Sequence, residues 1–166
     1  DFSKDNFKKV DVRVTDFGLS KQLIGSLSDE EGNEGDEGNA DKEKNKNKNE
    51  MDTDESRPLR YMSPETFQTI PQYSEKSDVW SFGVLIWEVM DGCKSWAPYP
   101  DIHSDDAVVA GIIGNSLTLK KPKGANSKLW KLVKKCRANN QDERPKFADI
   151  RLILEDLKMN LLTKLG

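Results

Sequence analysis

Ser74-Glu75-Lys76-Ser77-Asp78-Val79-Trp80-Ser81-Phe82-Gly83-Val84-Leu85-Ile86-Trp87-Glu88-Val89-Met90 decides how this chain is built. From Val79 to Met90 the stretch is apolar on nearly every face of a helix. Such a helix is either buried all round or crosses a membrane. Twelve residues are too few to cross, since a bilayer needs about 20. The stretch therefore predicts the hydrophobic axis of a helical domain. Ser77 and Asp78 are both good N-caps for it, and Gly92 is placed to end it.

More helices follow downstream. Asp105 to about Ile113 reads as a helix capped by Ser104. Ser127 caps a second from Lys128 to about Cys136, with Leu129, Leu132, Val133 and Cys136 on one face. Pro145 stands at a first-turn position, and Phe147, Ile150, Ile153, Leu154, Leu157 and Leu161 repeat at helical spacing to about Leu162. Gly92–Pro100 reads as a loop of turn formers that puts Trp96 and Tyr99 at risk of exposure. His103, the only histidine, falls in a loop and reads as solvent-facing.

Upstream the pattern changes. Val10-Asp11-Val12-Arg13-Val14-Thr15 alternates apolar and polar with β-branched residues, which predicts a strand. Gly18 breaks it, so Asp16 sits at a strand end where its carboxylate can enter a cleft. By themselves, Asp16-Phe17-Gly18 read better as a plain turn, with Asp16 a turn residue and Phe17 in the core, and it is the downstream context that reverses this. Asp1–Lys9 reads as a hairpin loop between short strands. The fold expected is α+β: mainly helical, with a short β-strand pair at the N-terminus.

The formal net charge of −3 hides an asymmetry. Residues 28–56 hold twelve Asp/Glu against four Lys, a net of −8, which leaves the rest of the chain at about +5. Ala40 and Met51 are the only apolar residues there, so burial cannot offset the entropy of ordering, and the segment reads as a disordered, low-complexity insertion. The two cysteines, Cys93 and Cys136, form no disulfide framework and fit a reducing, intracellular setting. There is no secretory signal and no apolar run of membrane-spanning length. Because the chain starts at Asp1 and enters a core-type strand almost at once, it reads as a segment of a longer protein. Net negative charge disfavours nucleic-acid binding.

Four motifs stand in order: Val14-Thr15-Asp16-Phe17-Gly18-Leu19-Ser20; Pro58-Leu59-Arg60-Tyr61-Met62-Ser63-Pro64-Glu65; Ser77-Asp78-Val79-Trp80-Ser81-Phe82-Gly83-Val84; and Asp142-Glu143-Arg144-Pro145-Lys146-Phe147. Together they resemble the C-terminal, mainly helical lower lobe of a eukaryotic protein kinase over all but the 28–56 insertion. D-F-G and A-P-E (here S-P-E) bracket the activation segment of that family, which would be residues 19–65 here. The resemblance implies ATP-dependent phosphorylation of a protein substrate, with ATP and Mg2+ as cofactors, in the cytoplasm or on the intracellular side of a membrane receptor. It makes Asp16 the magnesium ligand and catalytic residue, Phe17 the aromatic that reports active or inactive states, and Asp16-Phe17-Gly18 the cofactor-binding motif. It pairs Glu65 with Arg144, and makes Asp78 the buried aspartate that braces the catalytic-loop backbone. Pro58, Arg60 and the residues between them and Glu65 would face the substrate.

Pro58-Leu59-Arg60-Tyr61-Met62 matches the pattern of tyrosine kinases, where serine/threonine kinases usually carry a hydroxyl residue at the Pro58 position. A proline offers an apolar platform to a ring. Against this, residues 19–57 contain no tyrosine; the loop hydroxyls are Ser20, Ser26, Ser28, Thr53 and Ser56. The group is therefore tyrosine kinase or tyrosine-kinase-like, with serine/threonine or dual specificity open. The sequence has no Gly-rich loop, no Val-Ala-Ile-Lys-type lysine and no His-Arg-Asp. Asn6 lies near where a catalytic-loop Asn would be sought, without that motif before it. The upper lobe and catalytic loop of the parent protein are thus expected partners, and the isolated chain is expected to be inactive. The alternative is a pseudokinase or truncated lobe that serves as a protein-interaction module.

Overall fold

The computed structural model describes residues 57–165. The expected strand at 10–15, the hairpin at 1–9, Asp16-Phe17-Gly18 and the 28–56 insertion lie outside the described residues. The described part is mostly helical and contains no strand.

Two 3-10 turns, Leu59–Tyr61 and Pro64–Phe67, lead into four helices: α1 (Glu75–Asp91), α2 (Asp105–Ile113), α3 (Ser127–Cys136) and α4 (Phe147–Leu165). A further 3-10 turn, Gln141–Glu143, precedes α4. Helix α1 starts earlier than the caps Ser77 and Asp78 imply. Ser74 is the N-cap, and Ser77 turns its hydroxyl back to the Ser74 amide at 2.9 Å, closing a capping box. Gly92 ends the helix as expected, at φ 70°, a left-handed conformation that glycine adopts without Cβ strain. Helix α2 has the expected bounds and cap. The cap of α3 is Asn126, whose side-chain oxygen accepts from the Lys128 and Leu129 amides, and not Ser127. Pro145 stands before α4 instead of in its first turn, and α4 runs on to Leu165.

Helix α1 is the axis of the core, and α3 packs against it. Val79, Trp80, Val84 and Trp87 of α1 meet Val108 and Ile112 of α2, Leu132, Val133 and Cys136 of α3, and Ile150 of α4. Each large apolar side chain so buried contributes about 1.5–3 kcal/mol. Gly83 lets α1 and α3 approach: a Cβ there would lie 2.7 Å from the Cys136 Cβ. The expectation that α1 is buried all round fails on one side. Leu85 is 47% and Val89 65% exposed, because no described element covers that side.

Candidate functional site

Two buried arginines organise the segment from Pro58 to Glu65. Arg144 is the first. Its side chain is 0% exposed, and all five guanidinium protons are used. Nη1 donates to Glu65 Oε1 at 2.6 Å and to the Lys76 carbonyl at 2.9 Å. Nη2 donates to Glu65 Oε2 at 2.9 Å and to the Asn139 carbonyl at 3.3 Å, and Nε donates to the Ala138 carbonyl at 2.8 Å. The fork therefore holds Glu65 bidentately, the geometry that suits guanidinium and carboxylate. Lys76 Nζ donates in turn to the Arg144 carbonyl. Burial pushes the Glu65 carboxyl up, but hydrogen bonds from Arg144 and from its own backbone amide, with the Arg144 charge, outweigh it and leave the pKa below the usual carboxylate range.

Trp80 lies beneath this pair. The Arg144 guanidinium stands 5.0 Å from its ring centroid and the Arg137 guanidinium 4.5 Å. Arg137 also donates to the Tyr99 hydroxyl. Burial lowers the Arg137 pKa, partly offset by Tyr99. Trp80 reads in the sequence as plain core, so its contact with two arginines had no local signal.

Arg60 is the second hub, buried at 6% exposure. Nε donates to Asp105 Oδ1 at 2.7 Å. Nη1 donates to the carbonyls of Pro98 at 2.9 Å and Tyr99 at 3.4 Å, and Nη2 to those of Ile102 at 2.9 Å and His103 at 3.1 Å. The Trp96 ring lies 4.6 Å from the guanidinium, and His103 stacks on Trp96 at 5.7 Å. Arg60 thus clamps the 98–103 loop and the start of α2 onto the Pro58–Met62 segment. Trp96 and His103 are exposed, whereas Tyr99 is buried. The sequence placed Arg60 in the segment but offered no hint of its partners, because four of the five are backbone carbonyls.

Neighbouring residues fix the rest of the segment. The Tyr61 carbonyl accepts from Ser81 Oγ at 2.8 Å, and its hydroxyl meets both Glu88 carboxylate oxygens at 3.2 Å. Burial first, then the Glu88 charge, pushes the Tyr61 pKa up to about 12. Met62, Ser63, Glu65 and Thr66 are buried. Pro58 remains exposed at the outer end. The segment is held from within by Arg60, Met62 and Glu65 and open at Pro58.

The role that the resemblance gives Asp78 depends on a catalytic loop that this sequence does not contain. Asp78 is exposed in the first turn of α1, and burial of part of the group followed by the neighbouring Glu75 charge raises its pKa. The catalytic-loop backbone it is expected to hold has no match in this sequence, and among the described residues its backbone amide donates to the Ser74 carbonyl at 3.2 Å while its carboxylate has no hydrogen bond. Asp16, Phe17 and Gly18 lie outside the described residues. Among the described residues there is no group of three or more His, Cys, Asp or Glu side chains that could hold a metal ion. No helix among them is long and apolar enough to cross a membrane.

Comparison with known proteins accounts for this arrangement. The family model for protein tyrosine and serine/threonine kinases matches residues 34–154. Inactive tyrosine-protein kinase 7 of Gallus gallus is 41% identical over 99 residues, which is 60% of this chain and 9% of that protein. The Homo sapiens protein of the same name is 40% identical over 99 residues, again 60% and 9%. Tyrosine-protein kinase abl-1 of Caenorhabditis elegans is 35% identical over 102 residues, 60% of this chain and 8% of that protein. The matched part is thus under a tenth of the length of these curated relatives. With the family model covering most of its length, the chain belongs to the protein tyrosine and serine/threonine kinase family.

Proposed function

We propose that residues 1–166 are the C-terminal lobe of a kinase domain of the tyrosine-kinase-like group, and that the parent protein transfers the γ-phosphate of ATP to a Tyr, or a Ser or Thr, of a protein substrate. The observation that supports this best is the substrate segment itself. Pro58 is presented outward while Arg60 and Glu65 are each locked from beneath by an arginine-centred hydrogen-bond set. Phosphoryl transfer depends on positioning and electrostatics, so a substrate platform that does not move is a direct contribution to rate. Nucleotide and magnesium, when bound, supply the phosphoryl donor and neutralise its charge. The residue assigned to the metal by resemblance is Asp16, and no residue between 57 and 165 is assigned to it.

A second reading is favoured by one finding: the relatives at 40–41% identity are named inactive kinases. In that reading the same rigid segment is a protein-interaction surface. A phosphotransfer assay on the parent protein, with ATP, magnesium and tyrosine and serine peptides, separates the two. The enzyme reading expects phosphate incorporation that Asp16→Asn abolishes while leaving the melting temperature unchanged. Absence of incorporation, or turnover that survives Asp16→Asn, sinks it.

A further inference from the structure

Residues 107–141 contain no acidic residue and eight cations: Lys120, Lys121, Lys123, Lys128, Lys131, Lys134, Lys135 and Arg137. Arg137 is turned inward, but all seven lysines are exposed. On α3 the inward face is Leu132, Val133 and Cys136, so Lys128, Lys131, Lys134 and Lys135 share the outward face over about 10 Å of helix. Lys121 Nζ donates to Ser127 Oγ at 3.1 Å, which joins the preceding loop to the start of that row. Only two of the seven have an acidic partner among the described residues. Lys120 meets Asp101 at 2.6 Å and Lys128 meets Asp156 at 3.5 Å, and in both pairs the side chains are mostly exposed, where such pairs contribute little. Of the remaining five, Lys131 stands three and four residues before Lys134 and Lys135 on α3, a like-charge spacing that an external anion relieves.

We infer that this lysine face is an electrostatic docking surface for an anionic lipid bilayer. Three features select a bilayer over a protein partner. Protein interfaces bind through a buried apolar or aromatic centre. None of the large exposed apolar side chains falls between Ile113 and Phe147, and Leu129 and Trp130 of α3 pack partly against the core. The outward side of a helix is convex and suits a flat surface better than a groove-seeking peptide. The cations are ammonium groups, compact point charges, and not the guanidinium forks that read individual phosphates. A polybasic face of this size attracts acidic headgroups without insertion.

The test is co-sedimentation of the full 166-residue chain with vesicles of phosphatidylcholine alone and of phosphatidylcholine with phosphatidylserine. The whole chain is net negative, so binding reports the local face and not bulk charge. Binding is expected on the anionic vesicles only, and should fall steeply as salt shortens the screening length from about 10 Å at 0.1 M to about 3 Å at 1 M. Each lysine removed should weaken partitioning about fivefold, so Lys131→Gln/Lys134→Gln/Lys135→Gln should lose on the order of a hundredfold. Arginine at the same three positions should retain binding. A control of equal charge change away from the face, Lys94→Gln/Lys158→Gln/Lys164→Gln, should bind nearly as the wild type. The inference is overturned if the wild-type chain ignores anionic vesicles, if the two glutamine triples lose binding equally, or if the chain captures polyglutamate but not vesicles.

Discussion

Replacing Arg144 by alanine tests the strongest energetic statement the structure makes. The substitution removes five hydrogen bonds at once and leaves Glu65, 7% exposed, without its counter-charge. Losing one partner of a buried pair costs about 3–5 kcal/mol, because the other charge is stranded in a poor solvent. The carbonyls of Lys76, Ala138 and Asn139 lose a donor in the same step, which holds the cost at the upper part of that range. A domain of this size has only about 5–15 kcal/mol in total. Urea denaturation of wild type, Arg144→Ala, Glu65→Gln and the double substitution Glu65→Leu/Arg144→Met is the assay. The double substitution should recover most of the loss, since an apolar pair strands no charge. The pH dependence follows the same logic. The folded Glu65 carboxyl lies below its ordinary 4.5, so the pair stabilises fully above that value. Its contribution is lost as the pH falls from about 4.5 through the lower folded value, and Glu65→Gln should remove that acid limb. A change of less than about 1 kcal/mol in Arg144→Ala would refute the reasoning, because a solvated pair behaves that way.

Other outcomes follow from the same geometry. Arg60→Lys keeps the charge but replaces five planar donors with three, and should cost about 1–3 kcal/mol in the urea transition, whereas Asp105→Ala, removing an exposed partner, should cost less than about 1; equal costs would mean that the ion pair and not the carbonyl set carries Arg60. Tyr61 is neutral when folded up to about 12 against 10.0 unfolded, so stability should be level below pH 10 and fall between 10 and 12. Ultraviolet titration should show a phenolate transition near 12 that disappears in Tyr61→Phe. The isolated 166-residue chain should transfer no phosphate from ATP·Mg to tyrosine or serine peptides, since it has no Gly-rich loop, β-strand lysine or His-Arg-Asp. Turnover that Asp16→Asn abolished would show that the lower lobe alone suffices.

The local parts of this structure were legible in the sequence because local forces make them. Ser104 and Gly92 act on backbone groups within one turn of themselves, and the apolar repeat of α3 reports the face it buries, whereas in α4 Ile150 and Leu157 of the repeat are buried and Phe147 and Leu161 stay exposed. The start of α1 was misread for a local reason as well: Ser74 and Ser77 can both cap, and their reciprocal hydrogen bonds select the earlier one. The Glu65–Arg144 pair spans 79 residues, and only the order of motifs made it readable. Tertiary structure alone decided what Arg60 holds, because its four carbonyl partners look alike at every residue of a sequence and are chosen only when the 98–103 loop folds over it. It also decided that the Trp80 ring meets two arginines, and that Leu85 and Val89 emerge on the uncovered side of a helix whose composition predicts full burial.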